Sequence, residues 1–115
     1  MSTEVDWTEP AETLRVLAHP LRLRLLAELA GGELAVGEIE ARTGIGQPLL
    51  SQQLALLRGA RLVQTRRAAR QIFYSVSAEA LRTIAAKLGH LAGEAAKPPP
   101  SRRAVPGATM FARVG

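Results

Sequence analysis

Within seven residues, Gln47, Leu49, Ser51, Gln52 and Gln53 gather side chains able to read the edge of a base. A glutamine amide sets a donor beside an acceptor, which matches adenine in a two-bond pair. A serine hydroxyl serves several bases, and a leucine can touch a thymine methyl. Around them the charge is one-sided. Residues 41–76 hold Arg42, Arg58, Arg61, Arg66, Arg67 and Arg70 and no acid at all. A segment that collects guanidinium groups while excluding carboxylates suits a polyanion. Charge alone is equally consistent with a solvated basic face; the polar cluster beside it is what points to double-stranded DNA. Arg66, Arg67 and Arg70 are assigned to phosphate or an adjacent minor groove, and Arg42 and Arg58 to backbone phosphates. Arg22 and Arg24 are weaker candidates, and Arg24 can pair with Glu28 four residues on.

Other chemistries find little support. The chain has no cysteine, so disulfides, thiolate metal sites and cysteine nucleophiles are excluded. Ser51 stands beside Gln52 rather than a base, and Gly44-Ile45-Gly46 lacks the rest of a nucleotide fingerprint, so no enzyme is expected. His90 and Glu94 share one helix face, and two copies in a dimer would offer four ligands to zinc or nickel. Two ligands per chain is a thin set, and the helix dipole alone favours a charged histidine near a C-terminus. No metal or other cofactor is therefore assigned, and His19, before Pro20, is read as a helix cap.

These side chains need a frame. The 115 residues fit one domain, and with 47% hydrophobic but 3% aromatic residues its core must be aliphatic. Thr8 is expected to cap a first helix with Pro10 in its first turn and Leu14, Leu17 and Ala18 as its apolar stripe. Pro20 starts a second helix through Ala30, with Leu21, Leu25, Leu26 and Leu29 on one face. A third fits Val36 to Arg42 with Ile39 inward and Gly44 as its stop. A fourth starts near Gln47, buries Leu50, Leu54 and Leu57, and ends at Gly59. Two helices joined by the short turn Gly44-Ile45-Gly46 make a helix-turn-helix. Residues 62–66 and 71–76 read as a β-hairpin, Ile72, Tyr74 and Val76 alternating, with Arg66, Arg67 and Arg70 at its tip. Ser77 caps a last helix from Ala78 to about Ala96.

In order and spacing these features resemble the ArsR/SmtB family of bacterial winged-helix repressors, from about Leu14 to Leu91. Three stretches carry the resemblance: Val16 to Leu26, Gly46 to Arg58, which resembles the family's recognition helix, and Leu62 to Val76, which resembles its wing. Ala35-Val36-Gly37 stands where metalloid sensors of the family carry Cys-Val-Cys, and the cysteine pairs of its sulfide and redox sensors are absent too. Relatives often have glycine at the wing tip, whereas this chain has Ala68-Ala69.

The resulting expectation is a mostly α fold with a small β-hairpin, a winged helix-turn-helix that forms a homodimer through its terminal helices. Residues 1–10 form an arm, 11–96 the DNA-binding and dimerisation domain, and 97–115 a flexible Pro/Arg-rich tail. The long stripe of the last helix, Leu81, Ile84, Leu88 and Leu91, with Leu14 of the first, is the expected seam. No run approaches the roughly 18 apolar residues of a membrane span, and the first ten residues lack a signal-peptide pattern, so a bacterial cytoplasmic location is expected. A small-molecule effector between the helices and no effector at all both stay open. The alternative function is a winged helix used for protein contacts without sequence-specific DNA binding.

Overall fold

The computed structural model describes residues 6–93. The expected 97–115 tail and Glu94 lie outside the described residues. The chain divides into two units after Ile84, within the final helix.

In the first unit, α1 spans Thr8–Leu17. Its cap is not Thr8, which is the first helical residue; Asp6 Oδ1 instead accepts the Thr8 N–H at 3.0 Å. That hydrogen bond holds the Asp6 carboxyl below its ordinary range. α2 spans Pro20–Leu29. His19 Nδ1 accepts the Leu21 N–H at 3.1 Å, and Pro20 sits at the first helical position, where its missing N–H has no partner to lose. Leu25, Leu26 and Leu29 are buried as the periodicity required.

A two-residue strand, β1 (Leu34–Ala35), then leads into α3, Val36–Thr43. Glu38 reaches back to accept the Ala35 N–H at 2.9 Å, half of a capping box that Ala35 has no side-chain oxygen to complete. α4 spans Leu49–Gly59, β2 Val63–Ala68, β3 Gln71–Val76 and α5 Ala78–Leu91. The expected hairpin is therefore part of a three-stranded antiparallel sheet in the order β1-β3-β2, with Leu34 opposite Tyr74 and Val63 opposite Val76. A strand as short as β1 has no periodicity of its own; its pairing with β3 defines it.

Leu25 and Leu29 of α2, Ile39 of α3, Leu50, Leu54 and Leu57 of α4, and Leu62 are the fully buried centre of the core. Each such leucine contributes about 1.5–3 kcal/mol on burial. Ser77 Oγ accepts the Ala80 N–H at 3.3 Å and starts α5, whose Ala80 and Leu81 pack on this core and whose Ile84 is buried. In the second unit α5 stops at Leu91 rather than near Ala96, because Gly93 takes a left-handed φ of 82° and its N–H turns back to the His90 carbonyl at 3.1 Å. Among the described residues no helix is long and apolar enough to cross a membrane.

Candidate nucleic-acid interface

The connection before α4 is five residues, 44–48, rather than three. Gly44 closes α3 in a left-handed conformation, φ 75°. Buried Thr43 donates through Oγ1 to the Ile39 carbonyl at 2.8 Å and accepts the Ile45 N–H at 3.1 Å, so the turn is bonded where water cannot reach. Gln47 lies ahead of α4, not inside it: its Oε1 accepts the Ser51 N–H at 3.1 Å, a side-chain cap on the first turn.

α4 presents two unlike faces. Leu50, Leu54 and Leu57 are at most 1% exposed. Leu49, Ser51 and Gln52 are exposed, whereas Gln53 is half-buried and its Oε1 accepts from an Arg22 guanidinium nitrogen at 2.9 Å. The partners in both glutamine bonds, a guanidinium and a backbone N–H, can only donate, so each faces the amide oxygen. Of the three glutamines, Gln52 alone has both ends of its amide free of bonds among the described residues. Ser51, Ala55 and Arg58 follow one another along one exposed stripe.

The arginines separate in a way their sequence positions do not show. Arg66 is not at the hairpin tip. It lies within β2 opposite Phe73, its guanidinium 5.0 Å from the ring centroid, and it binds both carboxylate oxygens of Glu33. The hydrogen bond holds the Glu33 carboxyl below its ordinary value and raises that of Arg66. Arg42 lies 4.0 Å from Glu28, which thus faces Arg42 rather than Arg24. Arg67 and Arg70 are exposed at the tip and Arg58 at the end of α4, each without an ion pair among the described residues. The tip is a two-residue turn, Ala69-Arg70, with Ala69 at φ 56° and Arg70 not left-handed, the pattern of a II′ rather than a I′ turn.

Three residues have roles that local sequence patterns do not show. Arg22 and Glu33 act on partners about thirty residues away, beyond any local spacing rule. Arg61 takes the left-handed position after α4, φ 63°, where glycine is usual. The Leu62 N–H returns to the Leu57 carbonyl and the Arg61 N–H to that of Arg58, both at 2.9 Å. α4 ends at Gly59 as expected, and the left-handed turn falls two residues later. Arg58 and Arg61 line an open cleft of about 390 Å³ with Val63, Gln64, Thr65 and Ser77.

The model of the bacterial regulatory protein arsR family matches residues 19–65, from the His19 cap through α4 into β2. A biofilm growth-associated repressor of Agrobacterium fabrum is 57% identical over 70 residues, 61% of this chain and 60% of that protein. The crystal structure of the transcriptional repressor BigR from Xylella fastidiosa is 48% identical, covering 72% of this chain and 85% of that one, with a TM-score of 0.59. NolR from Sinorhizobium fredii is 34% identical, with 79% and 96% covered and a TM-score of 0.62. The chain belongs to the ArsR family. It spans 60% of the length of the Agrobacterium relative.

In this ArsR-family chain the remaining sequence candidates fall as follows. Ile84 is only 7% exposed within the chain itself, and Leu81 already packs on the core, so neither is an open apolar surface. Leu14 is half-buried, and Leu88 and Leu91 are 42% and 65% exposed. His90 is exposed, and among the described residues no three histidine or carboxylate groups gather closely enough to hold a metal ion.

Proposed function

We propose that this chain is a sequence-specific DNA-binding repressor in which α4 enters the major groove while the β2–β3 wing holds neighbouring backbone. One observation carries this reading. The N-terminal half of α4 exposes Leu49, Ser51 and Gln52 from a helix locked on its other face, inside a segment with no carboxylate. Gln52 pairs with adenine, Leu49 meets a thymine methyl, and Ser51 serves its neighbour. Gln47 and Gln53 have their amide oxygens engaged, which leaves the two-bond adenine pattern to Gln52. Arg58, Arg67 and Arg70 take phosphates, and Arg42 joins them by leaving Glu28. Arg66 braces the wing and reaches a phosphate only by exchanging Glu33 for it.

The protein acts in the bacterial cytoplasm as a two-fold dimer on a palindromic site, with half-site centres about 34 Å apart. Leu88 and Leu91 of α5 and Leu14 of α1 each offer apolar surface to a second copy. A second reading, a winged helix that docks a protein, draws on Leu49 and Leu56, 44% and 48% exposed. Selection from a randomised duplex pool separates the two. Repression predicts an enriched inverted repeat bound on the order of a thousandfold more tightly than random duplex. A pool that enriches nothing favours the docking module.

A further inference from the structure

Arg22 sits on α2 and is half-buried, yet among the described residues it faces no carboxylate. Its guanidinium bonds two neutral acceptors on two other helices. Nε donates to the Val16 carbonyl at 2.6 Å, and a terminal nitrogen donates to Gln53 Oε1 at 2.9 Å. Val16 lies in the last turn of α1, where carbonyls have no donor within the helix. One rigid planar fork thus spans the end of α1, the body of α2 and the exposed-to-buried boundary of α4. Gln53 is the residue next to Gln52, so whatever fixes it also fixes the direction in which Gln52 points.

We propose that Arg22 is a positioning residue for the reading helix, holding the rotation of α4 through Gln53, and that Gln53 serves this tie rather than reading a base. The two restraints on α4 differ in how strongly they depend on direction. The Leu50, Leu54 and Leu57 stripe binds α4 to the core by apolar burial, which is non-directional and tolerates a few degrees of roll. A hydrogen bond to a guanidinium weakens steeply with angle, and being charge-assisted it is stronger than a neutral one. A helix that must set an amide against a base edge needs the second kind of restraint as well as the first. Arg22 differs in this from Arg67 and Arg70, whose charge is exposed and uncommitted. The proposal rests on the reading of α4 as the base-reading helix.

The test is a double-mutant cycle on selectivity, the ratio of affinities for a duplex selected by the wild-type protein and for a random duplex. Arg22→Met and Gln53→Met are each expected to lower that ratio about tenfold, and the double variant to lower it no further. Gln53→Glu, which still accepts from Arg22 but cannot donate to a base, is expected to keep the ratio near the wild-type value while weakening binding to both duplexes alike. Losses that multiply in the double variant, or a Gln53→Glu ratio as poor as that of Gln53→Met, overturn the proposal. Amide hydrogen exchange on the free protein supplies an arm that needs no DNA. Arg22→Met and Gln53→Met are expected to speed exchange about tenfold at the same α4 amides, with Gln53→Glu protected; unchanged exchange overturns the tie. A wild-type protein that selects no duplex sinks the DNA reading, and the exchange arm then decides the tie by itself. Should Arg22→Met fail to fold, Arg22→Lys, which keeps the charge and loses the fork, replaces it.

Discussion

α4 and the β2–β3 wing meet solvent on opposite terms. α4 commits one whole face to the core through Leu50, Leu54 and Leu57, is capped by Gln47 and is tied by Arg22, and what it exposes in its first two turns is neutral. The wing commits little beyond Val63 and half-buried β3, and what it exposes at its tip is charge, on Arg67 and Arg70. Selecting a base demands donors and acceptors held at a fixed angle, so it belongs on a locked element. Attracting a phosphate demands only a charge within reach, so it tolerates a loosely held one. Arg66 shows the boundary between the two uses. The same side chain that would suit a phosphate is held by Glu33 and Phe73 and serves as a strut.

The largest effect that sharpens this contrast is on stability. Leu54→Ala is expected to cost about 2–5 kcal/mol in urea unfolding, whereas Arg67→Ala should stay within about 0.5 kcal/mol. Comparable losses would erase the distinction between locked and loose elements. Next comes discrimination. Gln52→Ala should cost about 1–3 kcal/mol of preference at one base pair, read by anisotropy on matched duplexes, and leave random-duplex binding nearly intact. Arg67→Ala should weaken every duplex alike and lower the salt slope by about 1. Parallel losses on selected and random duplexes for both variants would break the division of labour. Smaller still is the wing turn. Ala69 holds a left-handed φ of 56°, which an L side chain adopts at a cost. Ala69→Gly should gain about 0.5–1 kcal/mol in stability without changing selectivity; a loss would mean the turn is not strained there.

The least effect is that of pH on the wing strut. Because folding lowers the pKa of Glu33, the stability of its tie to Arg66 is present above the ordinary glutamate value and is lost as pH falls through the lowered one. The midpoint of the pH-dependent change in the Arg66 Nε–H resonance should therefore fall below 4.5, the ordinary value for Glu33. A midpoint at or above that value would show that the strut does not form in solution.

What the sequence made legible was what local rules control. Leucine spacing marked α2 and α4, His19-Pro20 and Ser77 marked helix starts, and alternation around Tyr74 marked β3. What escaped it depends on partners far along the chain. β1 exists through Tyr74 and Phe73, Arg66 is claimed by Glu33, and Gln53 is claimed by Arg22. Left-handed backbone was less legible: α4 ends at Gly59 as its sequence suggests, but Arg61 and not a glycine makes the turn after it, and Gly93 ends α5 before its apolar stripe runs out. The reading side chains were visible as a cluster, but not which of them already had partners.

The salt dependence of binding to the selected duplex tests the phosphate-holding role of the arginines most directly. Arg58, Arg67 and Arg70 face no carboxylate among the described residues, Arg42 is held only by a 4.0 Å approach to Glu28, and each phosphate neutralised contributes a slope of about −0.9 to log K against log salt. A slope of about −2 to −4 per chain is the expected result, steep on selected and random duplexes alike, with selectivity persisting between them. A flat line on either duplex would contradict it.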